Sequence, residues 1–193
     1  MFSSIPQLLF YGAMLAVVHI QPANAAFRSV RNVRSVLDVD DSLADCSDTD
    51  KLICYGSPDG TSQNIDVDDL EYVASFLRQQ GGLLSRPAGN DCGDWTVTQT
   101  GSVLLLSKHL NPRVNSSVAY DDIAFTLDGG SDSGANNVTD AVLKQTLLGC
   151  GTHGGQVAVI VHADNPLYAT DKYKASKATP QGIILKVVKA PSS

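Results

Sequence analysis

Histidine is the side chain that most often activates a nucleophile in hydrolases. The sequence carries His109, His153 and His162 beyond an apolar N-terminal stretch that contains His19. A hydrolase would also need a nucleophile beside the imidazole and a carboxylate to orient it, and no G-x-S-x-G elbow is present. We therefore predict no catalytic residue and keep a small secreted hydrolase built on His153 or His109 as an alternative hypothesis.

The segment from Gly149 to Gly154 has the G-x-G-x-x-G spacing of a dinucleotide-binding loop. Such a loop follows a strand and precedes a helix, whereas the pattern here predicts a helix before it and a strand after it. The glycines are better explained as a helix end followed by a turn. We predict that the protein uses no cofactor.

Carboxylate pairs and metal-ligand sets are poorly represented. Glu71 is the single glutamate, and the adjacent Asp121 and Asp122 would diverge on a helix, where they favour its N-terminal turn. The stretch from Asp128 to Asn137 offers oxygen ligands, but no carboxylate closes it at the twelfth position of an EF-hand loop. We predict a flexible loop there and no metal site.

Four cysteines predict a disulfide-stabilised protein. Their spacing supplies neither a C-x-x-C pair nor the histidines of a zinc site, and an even number in an oxidising compartment indicates two disulfides. Three connectivities remain open at this point, and each bridge would stabilise the fold by about 2–4 kcal/mol. The residues are Cys46, Cys54, Cys92 and Cys150.

The N-terminus has the pattern of a secretory signal peptide over residues 1–25. An uncharged apolar run from Leu8 to Ile20 precedes the small-x-small site Ala23-Asn24-Ala25. As a helix this run would span about 20 Å, too short to cross a bilayer, so we predict secretion without a membrane anchor. Residues 26–45 show little apolar periodicity and are predicted to form a flexible leader.

Two glycosylation sequons suit an extracellular protein. They begin at Asn115 and Asn137, both in polar, turn-like stretches.

Helical periodicity appears in three places in the remaining chain, residues 46–193. A first helix begins after Asn64, with acidic residues in its first turn, and ends at Gly81-Gly82. A second is predicted from Ser117 as N-cap to Gly129-Gly130, and a third from Thr139 to Gly149. Three of the aspartates at 59, 66, 68 and 69 are explained by the start of the first helix.

Strands are predicted where β-branched and apolar residues cluster, with a hairpin across Thr100-Gly101. The single tryptophan, Trp95, is expected to pack in the core. The predicted strands are Lys51–Tyr55, Trp95–Thr98, Val103–Leu106, Val157–Val161 and Ile183–Val188. We expect a single α+β domain: an antiparallel sheet of four or five strands with two or three helices packed on one face.

The chain has a formal net charge of −6, which argues against a nucleic-acid partner. Aspartate dominates from Asp38 to Asp69, and lysine dominates from Lys144 onward. Either these groups neutralise each other within the fold, or the acidic segment presents a negative face to a cationic partner.

The segments Cys54–Asn64 (CYGSPDGTSQN), Cys92–Trp95 (CGDW) and Leu147–Gln156 (LLGCGTHGGQ), behind a signal peptide, resemble the small secreted cysteine-containing proteins of filamentous fungi. That group includes candidate effectors, some of them similar to killer toxins of the four-stranded, two-helix sandwich type. The resemblance carries no active-site residue. It implies an extracellular, host-directed virulence protein that acts by binding.

Our leading functional expectation is therefore a secreted, monomeric, non-enzymatic protein. It would act by surface recognition of a host or cell-wall component. A membrane-active toxin is a further alternative, although the sequence shows no basic amphipathic helix of the kind that would insert into a membrane.

Overall fold

The structure is a computed structural model that describes residues 46–89, 91–130 and 139–191. The predicted signal peptide, the predicted leader and residues 131–137 of the predicted loop, which include Asn137, lie outside the described residues. All described residues fall within one compact unit, Val39–Ser193.

The described residues form four α-helices, two 3₁₀ segments and seven strands. The strands are β1 (Ile53–Cys54), β2 (Leu83–Arg86), β3 (Trp95–Thr100), β4 (Val103–His109), β5 (Ser116–Ala119), β6 (Gly155–Ala158) and β7 (Ile183–Lys189). The α-helices are α1 (Val67–Gln80), α2 (Tyr120–Asp128), α3 (Asp140–Leu143) and α4 (Asp171–Ser176). The 3₁₀ segments are Leu148–His153 and Pro166–Ala169.

Within this part of the chain, five strands form one antiparallel sheet in the order β1-β6-β7-β4-β3, and β2 pairs with β5 in a separate antiparallel ribbon. The α+β class with its antiparallel sheet is confirmed. The C-terminal strand β7 lies between β6 and β4, so the last residues of the fold complete its centre.

Helix α1 matches the sequence prediction at both ends. The Asp66 side chain caps it by accepting a hydrogen bond from the backbone N–H of Asp68, and Gly81 ends it by donating to the carbonyl of Leu77. Leu70 and Leu77 on its inner face are buried. The 3.6-residue period therefore identified the face that packs against the sheet.

Helix α2 begins two residues later than predicted. Ser117 was expected to be its N-cap, but residues 116–119 are extended and pair with β2 as strand β5. The helix starts at Tyr120 after Ala119, which has no capping side chain. Backbone pairing with β2, which sequence periodicity did not reveal, accounts for the difference, whereas the predicted end at Gly129 is confirmed by its left-handed conformation.

The third helix is much shorter than predicted. It begins at Thr139 as expected, with that residue as its N-cap, but the α-helix ends at Leu143, and turns lead into the 3₁₀ segment. Both Leu147 and Cys150 are buried in this stretch, and Cys150 is bonded to Cys54. The burial of these residues and the disulfide hold the chain close to the sheet, and an α-helix continued past Leu143 would not follow this path.

The predicted strands all exist, with small shifts at their ends, and the hairpin across Thr100-Gly101 joins β3 to β4. Strand β4 alternates strictly, with Val103, Leu105, Ser107 and His109 buried and the residues between them half-exposed. Its buried side faces the helices, as the period of two requires. One face of the sheet therefore supports the common core with α1 and α2.

The four cysteines, all within the described residues, form the bridges Cys46–Cys92 and Cys54–Cys150. The prediction of two disulfides is confirmed, and the structure selects one of the three connectivities. The second bridge ties β1 to the 3₁₀ segment that leads into β6. The first bridge ties Cys46, the first described residue, to the loop that precedes β3.

Candidate functional site

His109 is a core residue. Its side chain is 1% exposed, its Nε2 lies 3.2 Å from the carbonyl oxygen of Arg86, and its ring meets that of Trp95 edge to face at 5.3 Å. Burial lowers the pKa of His109, because an apolar setting disfavours the charged imidazolium. This neutral, enclosed ring serves packing.

Trp95 is half-buried rather than fully enclosed. The guanidinium of Arg86 lies over its ring at 4.8 Å, a cation–π contact, and Arg86 also donates to the hydroxyl of Ser107. One face of the indole is therefore already occupied within the fold. This agrees with a packing role.

His153 lies beside a hydroxyl nucleophile. Its Nδ1 is 2.9 Å from Ser62 Oγ, and both residues are near the surface. The glycine turn exposes this imidazole, as the sequence suggested. Within the described residues, no carboxylate is hydrogen-bonded to His153, so the pair has a nucleophile and a base without the group that orients the base in a triad.

His162 has the carboxylate partner that His153 lacks. Its Nδ1 lies 2.9 Å from Oδ1 of Asp122, which is 1% exposed. The hydroxyl of Tyr168 donates to the other carboxylate oxygen at 2.5 Å and accepts a hydrogen bond from the backbone N–H of Ala119 at 2.8 Å. Burial, followed by the bond to Asp122, raises the pKa of Tyr168, so this phenol stays a donor.

Sequence reasoning missed this pair because His162 and Asp122 are 40 residues apart and Asp122 was interpreted as one of two charges at a helix start. Asp121 meets that expectation and is exposed, but Asp122 lies on the buried face of α2. The helical period places the two carboxylates about 100° apart, and this difference could have marked Asp122 as a residue that needs a partner.

The exposed side of His162 borders an open pocket of about 300 Å³. The ring of Phe125 meets the imidazole edge to face at 4.5 Å, and the carboxylates of Asp121 and Asp164 line the mouth. Among the described residues that line this pocket there is no serine, threonine or cysteine. These residues orient an imidazole and place no hydroxyl or thiol nucleophile of their own beside it.

The loop considered for calcium starts with an aspartate that is already engaged. Asp128 is fully buried and forms a two-pronged ion pair with Arg78, and its Oδ1 accepts from the backbone N–H of Gly130. Within residues 46–89, 91–130 and 139–191, no three His, Cys, Asp or Glu side chains are grouped so that they could hold a metal ion.

The aspartates at the start of α1 serve the fold. The carboxylate of Asp69 accepts from the backbone N–H and the hydroxyl of Ser102 at 2.7 and 2.8 Å. The same hydroxyl accepts from the backbone N–H of Asp66. These bonds lower the pKa of Asp69, the backbone bond having the largest effect. They fasten the first turn of α1 to the tip of the β3–β4 hairpin.

Acidic and basic side chains neutralise each other on the face of the sheet away from the helices, where one ion pair joins the acidic segment to the basic one. Asp48 forms ion pairs with Lys108 and Lys186, and Lys186 lies 3.2 Å from Asp94. Burial, followed by these two carboxylates, raises the pKa of Tyr55 to about 12. For these residues, complementarity within the fold explains the uneven charge.

Helix α1 presents an aromatic pair to solvent. Tyr72 and Phe76 are 60% and 41% exposed, and they are the large hydrophobic residues exposed in the described part of the chain. They are four residues apart and so lie one above the other on the same helix face. Asp68, one turn before Tyr72, and Glu71 beside it are exposed carboxylates. We call these four residues the α1 face.

The sequon asparagine at 115 is accessible in part, and its Nδ2 donates to the carbonyl of Ser176 at 2.8 Å.

Comparisons with protein-family models, with curated proteins and with solved structures find no match to this chain.

Proposed function

We propose that this protein is a secreted, effector-like recognition protein that binds a host or cell-wall surface component without catalysing a reaction. The predicted signal peptide and the two disulfides support export, because such bridges persist in oxidising compartments. Among the described residues, no helix is long and apolar enough to cross a membrane.

The single observation that carries the recognition role is the exposed aromatic pair of the α1 face. Aromatic side chains are enriched at the centres of interfaces, and an exposed apolar cluster rimmed by polar groups marks an interaction site. Tyr72 and Phe76 project from a helix whose opposite side is buried in the core that it shares with α2 and the sheet. A rigid element of this kind holds both rings in place before binding, which reduces the entropic cost of association.

The carboxylates of Asp68 and Glu71 specify the chemistry of the partner. A negative rim beside aromatic rings favours a partner that combines positive charge with apolar surface, through ionic attraction and cation–π contact. Arg78, the basic residue in the last turn of α1, is neutralised by Asp128. A cell-wall polymer of amino sugars offers ammonium groups and sugar rings with apolar C–H faces, and it is the probe that fits this face best.

The test is a sedimentation assay of the purified chain with insoluble chitosan, chitin and cellulose. We expect retention on chitosan that weakens at least tenfold in the Tyr72→Ala/Phe76→Ala double variant and that falls with added salt. Gln80→Ala, an exposed change on the same helix, should bind as the wild type does. If the double variant and Gln80→Ala bind equally, the α1 face is not the recognition surface.

Charge is tested separately from the rings. Asp68→Asn/Glu71→Gln should weaken retention on chitosan and leave any binding to uncharged cellulose unchanged. Asp50→Asn/Asp59→Asn, which removes two exposed carboxylates from the chain before α1, is the matched control. Failure of the folded protein to bind any wall polymer or host surface protein, together with turnover of a substrate, would overturn the recognition role.

A hydrolase is the second candidate, and the contact between Ser62 Oγ and His153 Nδ1 is the observation that favours it. The assay is hydrolysis of p-nitrophenyl acetate with covalent labelling by a fluorophosphonate. Activity that disappears in both Ser62→Ala and His153→Ala would establish it. Labelling of neither the wild type nor the variants would exclude a serine nucleophile at this position.

Export and membrane activity have their own measurements. Mass spectrometry of protein recovered from culture medium should find Ala26 at the N-terminus and four oxidised cysteines. An intracellular form that keeps residues 1–25 and has four alkylatable thiols would contradict secretion. Release of dye from anionic lipid vesicles would favour the membrane-active toxin instead.

A further inference from the structure

A second cavity, distinct from the His162 pocket and from the α1 face, lies between the β2–β5 ribbon and the segment that follows Asn165. Its volume is about 440 Å³, within the range of small-molecule sites. Gly82, Leu83 and Ser85 contribute one side, and Leu167, Lys172 and Tyr173 contribute the other. We call it the ribbon cavity.

The walls of the ribbon cavity are held in place by specific contacts. The hydroxyl of Tyr173 donates to the carbonyl of Ser117 in β5 at 3.0 Å. The rings of Tyr168 and Tyr173 meet at 5.0 Å, and Tyr168 is anchored to Asp122. Side chains and backbone on both sides are therefore joined across the cavity, which makes it a preformed space.

Leu83 and Leu167 are half-buried, and Tyr173 is 7% exposed. These side chains give the cavity a mainly apolar lining. An apolar lining of this extent favours a ligand with a hydrocarbon or aromatic body, because such a body leaves water on binding.

Most hydroxyls at the ribbon cavity are already committed. Thr170 Oγ1 donates to the carbonyl of Leu167, and Ser176 Oγ donates to the carbonyl of Tyr173. The hydroxyls of Ser85 and Ser117 lie 2.8 Å apart and share one hydrogen bond. Since each hydroxyl has one hydrogen and only one is used between them, the pair keeps one hydrogen to donate to a ligand.

Lys172 adds a positive charge to this donor. Its side chain lines the cavity, its residue is exposed, and no ion pair of its ammonium is found among the residues that the structure describes. A hydroxyl donor and an ammonium group beside an apolar space select an anion that carries a hydrophobic body.

We propose that the ribbon cavity binds a small organic carboxylate, with the carboxylate held by Lys172 and the Ser85–Ser117 pair and the carbon skeleton placed against Leu83, Leu167 and Tyr173. This site is independent of the proposed recognition role, because none of its residues belongs to the α1 face. Its failure would leave the α1 proposal intact, and the reverse is also true.

The test is titration of the folded chain with octanoate and, separately, with octanol, followed by ¹H–¹⁵N chemical shifts. Octanoate should shift the amides of Ser85, Ser117 and Lys172, and octanol should bind at least threefold more weakly. Lys172→Gln should weaken octanoate at least threefold and leave octanol unchanged. Lys174→Gln, on the same helix but outside the cavity lining, should behave as the wild type does.

Filling the cavity gives an independent check. Ser85 is exposed on β2, so Ser85→Phe should fold, as judged by circular dichroism, and abolish the octanoate-induced shifts. The proposal would be overturned if octanoate did not bind or if it shifted amides elsewhere in the protein. It would also be overturned if octanoate and octanol bound with equal affinity, or if the two lysine variants had equal effects. The lysine pair keeps the test decisive if Ser85→Phe fails to fold.

Discussion

At the scale of single residues, Asp121 and Asp122 show how one position changes the role of a side chain. Both are acidic residues in the first turn of α2, but only Asp122 turns toward the interior and binds His162 and Tyr168. Burying a carboxylate is costly unless hydrogen bonds replace its water. The network around Asp122 is therefore a structural requirement of α2 as well as the base of the His162 pocket.

Replacing Asp122 with alanine should lower the free energy of unfolding by about 2–3 kcal/mol, since Tyr168 and His162 would lose their acceptor. Urea denaturation followed by circular dichroism measures the change. The matched variant Asp121→Ala should cost less than about 1 kcal/mol, because it removes only an exposed charge near the helix dipole. Equal losses for the two variants would contradict the role of the network.

Asp48 makes stability depend on pH. Burial acts to raise the pKa of this carboxyl, but Lys108 and Lys186, together with a hydrogen bond from Gln156, outweigh it and hold the pKa below the ordinary value of 3.8. A carboxylate with a lowered folded pKa stabilises the fold above that ordinary value and loses this effect as the pH falls through the folded pKa.

Asp48→Asn should therefore destabilise the protein by about 1–2 kcal/mol at pH 7, the scale of hydrogen bonds to charged groups. The difference from wild type should shrink as the pH falls below 3.8. Urea midpoints at several pH values measure it, and Asp59→Asn controls for the loss of one negative charge. A difference that stays constant with pH would rule out this ionic contribution.

At the scale of elements, α1 and the β3–β4 hairpin were predictable because their signals are local. An acidic cap, apolar residues at helical spacing and a following glycine define α1 within one stretch of chain. The ribbon of β2 and β5 was not predicted, because each of its strands is short and gains its hydrogen bonds from a partner more than twenty residues away. The same pairing moved the start of α2.

The β3–β4 turn depends on Gly101. Its φ is +50°, a conformation that glycine adopts without strain, and a Cβ at this position would collide with the carboxylate of Asp69. Gly101→Ala should cost more than about 1 kcal/mol in the free energy of unfolding. Gly89→Ala, whose Cβ would meet no atom within 4 Å and whose φ is not positive, should be nearly neutral by the same urea assay.

At the scale of the whole molecule, residues distant in sequence meet around β7. This strand pairs with both β4 and β6, so the centre of the sheet is complete only when the last described segment is in place. The two disulfides restrict the unfolded chain over 46 and 96 residues. Most contacts in this fold join residues that are distant in sequence, so folding must close long loops at a cost in conformational entropy. The disulfides reduce that cost because they already restrict the unfolded chain.

Removing either bridge by a Cys→Ser pair should lower the free energy of unfolding by about 2–5 kcal/mol. The Cys54/Cys150 pair should cost about 0.6 kcal/mol more than the Cys46/Cys92 pair, because its loop is twice as long. Denaturant unfolding of both double variants measures the order. The reverse order would show that native-state contacts around Cys46 outweigh loop entropy.

The sequence by itself determined the α+β class, both ends of α1, the positions of the main strands and the presence of two disulfides. The helix and strand positions follow from local periodicity and capping residues, because each of these signals lies within one short stretch of chain. The presence of two disulfides follows from the number of cysteines. Only the tertiary structure decided which cysteines pair, which histidine meets a carboxylate and which aromatic residues stay exposed. Each of these features depends on contacts between residues that are tens of positions apart and on whether a side chain points inward or outward from its helix or strand. The packing of the whole chain determines both the contacts and the orientation.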